Sequence, residues 1–250
     1  MHRFYLPPEQ TREQPLFLTG REAHHALHVL RLRAGDRLSV LNGAGTEFIC
    51  DITASDRDKI CLSVIEQKLS SPPACQITLL QALPKGKLIE SIIQKATELG
   101  ASRIVPLLSE RVVTELDTKA GERKAAKWQL TAIEALKQCG APWLPKVEEP
   151  ISPADFIARG ETFDLPLVGS LQGESKHPRE YFKSFQAGHS RQPTSICFWI
   201  GPEGDFTAEE IAAIKKSGAL PITLGSLILR TETAAIYCLS LANYENSSVN

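Results

Sequence analysis

The run Ile196-Cys-Phe-Trp-Ile-Gly-Pro-Glu-Gly-Asp-Phe206, continued by Thr207-Ala-Glu-Glu210, decides how this chain is read. Its first five residues are almost wholly apolar and ask for a buried strand, which Gly201, Pro202 and Gly204 end in a tight turn. Thr207 and Glu210 have capping-box spacing, a hydroxyl at the N-cap and a carboxylate three residues on, so a helix is expected to start there. The segment from Pro221 repeats this arrangement. Ile222-Thr-Leu224 reads as a strand, Gly225 to Arg230 as a loop, and Thr231 as the cap of a last helix. Leu165-Pro-Leu-Val168 is a further strand, ending on Gly169-Ser-Leu-Gln-Gly173. In open α/β sheets such loops lie at the carboxyl ends of strands, where ligands bind.

Outward from these loops the alternation continues. Gln76 to Ala82 reads as a buried strand and Pro84-Lys-Gly-Lys87 as a turn. Leu88, Ile89, Ile92, Ile93, Ala96 and Leu99 then mark one face of a helix closed by Gly100. Ile104 to Leu108 is the next strand, and its Pro106 argues for an edge or a terminus. A second amphipathic helix ends at Gly140, and Ser152-Pro-Ala-Asp155 opens a short one. Strands alternating with helices imply a mainly parallel sheet covered on both faces. Before the linker Leu69-Ser-Ser-Pro-Pro-Ala74 the texture differs: Arg37 to Leu41, a turn at Asn42-Gly-Ala-Gly45, Glu47 to Ile52, then Ile60 to Ile65. That is a small β-rich domain. The expected division is 1–71 and 72–250, with Glu245 to Asn250 as a loose tail.

Composition narrows the function classes. A chain of 250 residues with 42% hydrophobic and 23% charged residues can bury a sizeable core. With a net charge of −1, any polyanion would have to be held by a local patch. The cysteines are dispersed and form no C-x-x-C, which suits free thiols in a reducing cytosol. No apolar leader and no run of membrane-spanning length is visible, so a cytoplasmic protein without membrane contact is expected. His24 and His28 are spaced i, i+4, but no nearby residue completes a metal site, and no metal is expected. The competing readings of this histidine-rich segment are a partly buried capping helix, or a basic face with Arg3 and Arg31 that contacts phosphates. No P-loop occurs, since Gly169 to Lys176 has the wrong frame, and Gly43-Ala-Gly45 lies in a hairpin rather than before a helix.

Several segments together resemble one family. Ile200-Gly-Pro-Glu-Gly204 is followed by Leu224-Gly-Ser-Leu-Ile-Leu-Arg-Thr-Glu-Thr-Ala234. Gln94-Lys-Ala-Thr-Glu-Leu-Gly100, Ser109-Glu-Arg111, His28-Val-Leu-Arg31 and Gly35-Asp36 agree in order. The set resembles the ribosomal RNA small subunit methyltransferase E family over nearly the whole chain. This resemblance implies an α/β fold in which a small β-barrel PUA-like RNA-binding domain (1–71) precedes a SPOUT-type parallel-sheet methyltransferase domain (72–250). The latter would be closed by a C-terminal trefoil knot. It further implies a homodimer that uses S-adenosyl-L-methionine to methylate N3 of a uridine in 16S rRNA of the small ribosomal subunit. Two departures stand out: Asp205 replaces the last glycine of the family turn, and Lys137 to Trp143 differ from the usual pattern. A non-catalytic RNA-binding assembly factor, or a SPOUT enzyme acting on another RNA such as tRNA, would keep much of the same sequence.

The resemblance assigns roles to particular residues. Val168, Gly169, Ile200, Gly201, Gly204, Leu224, Gly225 and Leu229 would hold the cofactor, with Ile200 and Leu229 packing the adenine. Uridine N3 is a poor nucleophile until its proton leaves, so the chemistry needs a base and a partner for the resulting anion. Arg230 is the candidate for the uracil oxygens or the adjacent phosphate, and Glu232 or Glu203 for the base. Glu232 could equally stabilise a helix dipole in a first turn. Glu203 could fix its loop through backbone hydrogen bonds or receive the donor's amino group. Lys85, Lys87 and Arg111 would line the RNA path, and Arg3, His28 and Arg31 would add contacts from the small domain. As solvated surface charges they would do neither.

Overall fold

The computed structural model describes residues 1–112, 118–171 and 174–246. They fall into two compact units, the first comprising Met1–Pro72 with Ile133–Leu144, the second Pro73–Ala132 with the chain from Pro145 onward.

In the first unit the strands are β1 (His2–Tyr5), β2 (Leu16–Thr19), β3 (Arg37–Leu41), β4 (Thr46–Asp56) and β5 (Lys59–Leu69), in sheet order β1-β3-β4-β5-β2. Helix α1 (Gly20–His24) runs on into a π-helical turn, His25–Val29. β1 lies parallel to β3, and the other pairs are antiparallel. The expected hairpin forms because Asn42 Oδ1 accepts from the amides of Ala44 (2.9 Å) and Thr46 (3.0 Å), an Asx-type closure. Period-two patterning then turns Leu38, Val40, Cys50, Ile52, Ile60 and Leu62 into one core with Phe4, Leu16 and Leu18. The segment Ile133–Leu144 completes this unit through polar anchors. Lys137, 8% exposed, places its ammonium 2.8 Å from Glu22 and 3.0 Å from Glu134, and Trp143 Nε1 donates to the Ser71 carbonyl at 3.0 Å. Gly45 is obligatory there, since a Cβ would lie 2.4 Å from the Trp143 ring.

The second unit is a six-stranded sheet built from β6 (Gln76–Ala82), β7 (Arg103–Leu107), β8 (Lys146–Val147), β9 (Leu165–Gly169), β10 (Ser195–Ile200) and β11 (Leu220–Ile222). All pairs are parallel, in the order β11-β9-β10-β6-β7-β8. The helices are α2 (Leu88–Glu98), α3 (Thr118–Cys139), α4 (Pro153–Ala158), α5 (Pro178–His189), α6 (Ala208–Lys216) and α7 (Thr231–Asn246). A parallel strand between two helical layers must be apolar on both sides. Ile196 to Ile200 are accordingly all buried. Cys197 and Trp199 join Leu80, Val168, Phe206 and residues of α4 and α6 in one core cluster. α7 packs against α2, β6 and β10. The capping box expected at Thr207 is present in both directions: Thr207 Oγ1 accepts from the Glu210 amide at 3.2 Å, and Glu210 Oε2 from the Thr207 amide at 2.9 Å.

The structure departs from the sequence reading in several places. β7 is not an edge strand, although Pro106 is its next-to-last residue, which is the terminus the proline also allowed. Its neighbour β8 covers only Arg103 and Ile104, so Pro106 lies beyond β8, and its carbonyl accepts from the Ile151 amide at 3.1 Å. N–H and C=O of one strand residue point the same way, so the missing donor falls on this open side. β11 sits two residues earlier than expected, at Leu220–Ile222, and Leu224 belongs to the loop. Helix α5 was not foreseen, because its N-cap is His177 rather than Ser, Thr, Asp or Asn. Glu245 and Asn246 are helical rather than tail. Thr231 does not cap α7; the Arg230 carbonyl accepts the first turn's bond from the Ala234 amide at 2.9 Å, and the Thr231 hydroxyl is used elsewhere.

Candidate active site

The three loops expected to converge do so. Residues following β9, β10 and β11 enclose a cavity of about 260 Å³, near the lower end of small-ligand sites, which run to roughly 300–1,000 Å³. Its walls are residues 169–171, residues 200–205 except Gly204, and residues 222–231 except Ser226, closed by Ala234 of α7. Ile200, Leu224 and Leu229 supply apolar wall, while Glu203, Asp205 and Arg230 supply charge.

Side chains tie these loops to one another. The Thr231 hydroxyl donates to the Gly201 carbonyl at 2.6 Å and accepts from Gln81 Nε2 at 2.9 Å, so the start of α7, the turn after β10 and the end of β6 share one buried link. Asp205 adopts a left-handed backbone, φ 61°, which aspartate tolerates better than most side chains. Its Oδ1 accepts from the Phe206 amide at 2.8 Å, and its Oδ2 from the Leu171 amide at 3.4 Å, joining the loops after β10 and β9. Glu203 Oε1 accepts from the Lys85 amide at 3.0 Å. Arg111 donates to the Gly204 carbonyl, and Glu210 also accepts from the Glu110 amide at 2.9 Å. The mouth is apolar, with Leu171, Leu227 and Ile228 exposed.

Of the residues assigned to the cofactor, Gly169, Ile200, Gly201, Leu224, Gly225 and Leu229 line the cavity, and Glu203 and Arg230 line it with them. Val168 does not; it is fully buried in the core beneath. Gly204 is also outside the lining, its carbonyl engaged by Arg111. Glu232 lies half-buried in the first turn of α7, off the cavity wall. Gly173 lies outside the described residues. Lys85 and Lys87 are exposed on the loop after β6. In the first unit His28 and Arg31 are exposed, with the His28 ring 4.8 Å from that of His24. The Arg3 guanidinium donates to the Gln138 carbonyl at 3.1 Å, a cation on the last carbonyls of α3. Among the described residues no three His, Cys, Asp or Glu side chains gather as metal ligands. Four of the six thiols, Cys50, Cys75, Cys197 and Cys238, are buried, and burial pushes Cys50 and Cys75 up to about 12. Sequence reading gave no role to Gln81 or to Asp205's side chain. The signal for Gln81 was a lone amide inside the apolar run Ile77 to Ala82.

Comparison with known proteins agrees with this architecture. A family described as RNA methyltransferase domain matches residues 71–243, and one described as RNA methyltransferase PUA domain matches residues 18–65. The ribosomal RNA small subunit methyltransferase E of Bacillus subtilis is 33% identical, over 98% of this chain and 97% of its own length. This chain belongs to the ribosomal RNA small subunit methyltransferase E family. Another member, from Synechocystis, is 35% identical over 97% of this chain and 77% of its own. Among solved structures, a methyltransferase from Legionella pneumophila with bound SAM superposes with a TM-score of 0.86 at 32% identity, covering 97% of this chain and 96% of that one. The Neisseria gonorrhoeae member of the family, bound to S-adenosyl methionine, does so with a TM-score of 0.83 at 27% identity, covering 98% and 97%. The first unit is therefore a PUA-like half-barrel, an open sheet rather than a closed barrel, and the second is the methyltransferase sheet. No helix among the described residues is long and apolar enough to cross a membrane.

Proposed function

We propose that this protein transfers a methyl group from S-adenosyl-L-methionine to N3 of a specific uridine in 16S rRNA of the small ribosomal subunit. The observation that carries the reading is the cavity formed by the loops after β9, β10 and β11, in a family whose other members are named as small-subunit rRNA methyltransferases and include structures with this donor bound. The residues present fit the donor. Ile200, Leu224 and Leu229 give an adenine an apolar slot, and Glu203 and Asp205 give a cationic ligand two carboxylates. Bound there, the donor supplies an electrophilic methyl group on a positively charged sulfur.

The chain's own residues supply positioning and charge. Uridine N3 must lose its proton before it attacks, and Arg230, an exposed residue of the cavity wall, stabilises the anion that remains on the uracil oxygens. Glu203 is the better placed of the two candidate bases. It lines the cavity, and one of its oxygens is fixed by the Lys85 amide while the other is left for the proton. Glu232, off the wall and in the first turn of α7, serves the helix dipole. N3 lies on the Watson–Crick edge, so the target base must be exposed or flipped before it reaches Arg230. Lys85, Lys87 and Arg111 contact RNA beside the cavity. Residues 1–71 grip it through His28 and Arg31, while Arg3 acts in folding. The protein works as a homodimer with its C-terminal segment knotted; the return of α7 across β6 and β10, after β11 has been laid beside β9, supports that path.

The test is incubation with labelled S-adenosylmethionine and unmodified small subunits, followed by nucleoside mass spectrometry of the rRNA. N3-methyluridine at one site is expected. Donor binding without label in 16S rRNA would overturn the substrate, and no donor binding at all would leave an RNA-binding assembly factor.

A further inference from the structure

Resting on the donor assignment above, we infer that Asp205 makes the cavity a cation-recognising site, selecting the donor by its positive charge as well as by its adenine. Asp205 stands at the position where the family turn usually ends in glycine.

Three observations lead to it. Asp205 keeps the left-handed backbone that glycine would take, φ 61°, so the substitution adds a carboxylate without altering the turn. Its main chain is held as in a turn, the amide donating to the Pro202 carbonyl at 3.0 Å. The added side chain is not turned to solvent alone; it is part of the cavity wall, on the side facing the loop after β9. One oxygen is committed to the Phe206 amide at 2.8 Å, while the other has a long 3.4 Å contact to the Leu171 amide. A carboxylate offers about four acceptor positions, so these two bonds leave capacity unused. The charged groups on the wall are Glu203, Asp205 and Arg230, and the lining is net negative only because Asp205 is there. Glycine at this position would leave Glu203 and Arg230 to cancel.

Charge and latch make different predictions. A carboxylate that acts by charge discriminates among ligands sharing the adenosine part: S-adenosylmethionine carries a sulfonium and an ammonium, S-adenosylhomocysteine only the ammonium, adenosine neither. A carboxylate that acts only by joining two loops treats all three alike. Asp205→Asn tolerates the same backbone and still accepts from the Phe206 amide, but it carries no charge and gives up the Leu171 bond, so it is the comparison among the three ligands that separates charge from latch. Asp205→Gly removes both bonds on a backbone glycine favours, and serves if the asparagine variant folds poorly.

The experiment is calorimetric titration of wild type and both variants with the three ligands, with melting curves as a control for folding. For Asp205→Asn, affinity for S-adenosylmethionine is expected to fall at least fivefold while adenosine stays within twofold. A loss shared by S-adenosylhomocysteine places the recognised cation at the ammonium, and a loss it does not share places it at the sulfonium. Equal losses for all three ligands would reduce Asp205 to a loop latch, and unchanged S-adenosylmethionine affinity would overturn the inference. Wild-type protein that bound none of the ligands would instead refute the donor assignment, so the two failures are distinguishable.

Discussion

Replacing Thr231 by valine keeps the side chain's shape and removes its hydroxyl, which isolates one polar link between three strand ends. Thr231 is 4% exposed, donates to the Gly201 carbonyl at 2.6 Å and accepts from the fully buried Gln81 at 2.9 Å. Two hydrogen bonds are lost, at about 1 kcal/mol net each, and the Gly201 carbonyl is left without this donor at up to a further ~2 kcal/mol. Gln81 Nε2 keeps its bond to the Ala82 carbonyl at 2.9 Å, so its amide is not stranded. Thr231→Val is therefore expected to cost roughly 2–4 kcal/mol. Threonine and valine have similar helix propensities, so the backbone adds nothing. Thr231→Ser keeps the hydroxyl and should cost about 1 kcal/mol, the value of one buried methyl. The double variant Gln81→Leu/Thr231→Val removes both partners. Among the described residues Gln81 Oε1 has no partner, so leucine relieves one buried orphan and the pair should cost at least ~1 kcal/mol less than the sum of the singles. The assay is urea unfolding followed by far-ultraviolet circular dichroism, which reports chiefly on the helices of the second unit. A Thr231→Val variant within about 0.5 kcal/mol of wild type, the range of an ordinary surface substitution, would refute the reasoning.

Arg230→Ala is expected to leave fold and donor affinity intact while turnover falls by roughly 10²–10³, the usual cost of removing a donor to a developing anion; single-turnover methylation checks this, and normal turnover would remove Arg230 from the chemistry. Glu210→Ala breaks the capping box and strands the Glu110 amide, and should destabilise by about 1–2 kcal/mol, with Glu210→Gln, which has one acceptor oxygen for the two amides, recovering only part of it in the same urea assay. Asp164 is held well below the usual carboxylate range, first by the Arg191 guanidinium (2.7 and 2.9 Å) and then by the Thr194 amide. A depressed carboxylate contributes stability above its unfolded value, about 3.9, and loses it as pH falls toward the folded value. The gap in urea midpoint between wild type and Asp164→Asn should therefore be full at neutral pH and shrink through the acid range; a gap independent of pH would refute the assignment.

Local rules made much of the second unit legible. An apolar run with no polar face fixes a strand buried on both sides, and glycine-rich ends fix where the chain must turn, so β6, β9 and β10 and the loops after them could be read directly. The Thr207 to Glu210 box is likewise a short-range interaction, complete within four residues. The ordered motifs from His28 to Ala234 carried the family, and with it Arg230, Glu203 and the cofactor glycines that line the cavity. Other features depend on partners far along the chain. Val168 and Gly204 look like ligand contacts in sequence, but only packing decides that one is core and the other is held by Arg111. Thr231 satisfies every sequence rule for an N-cap, yet its hydroxyl is captured by Gly201 and Gln81, which lie 30 and 150 residues away. The end of α3 reads as an ordinary amphipathic helix, and only the Lys137–Glu22 and Trp143–Ser71 contacts assign it to the first unit. Patterning within a few residues determines which backbone a segment adopts, because steric and capping energies are local. What a polar side chain does is decided by which groups reach it in the folded chain, and for Asp205 one of them, the Leu171 amide, sits on another loop.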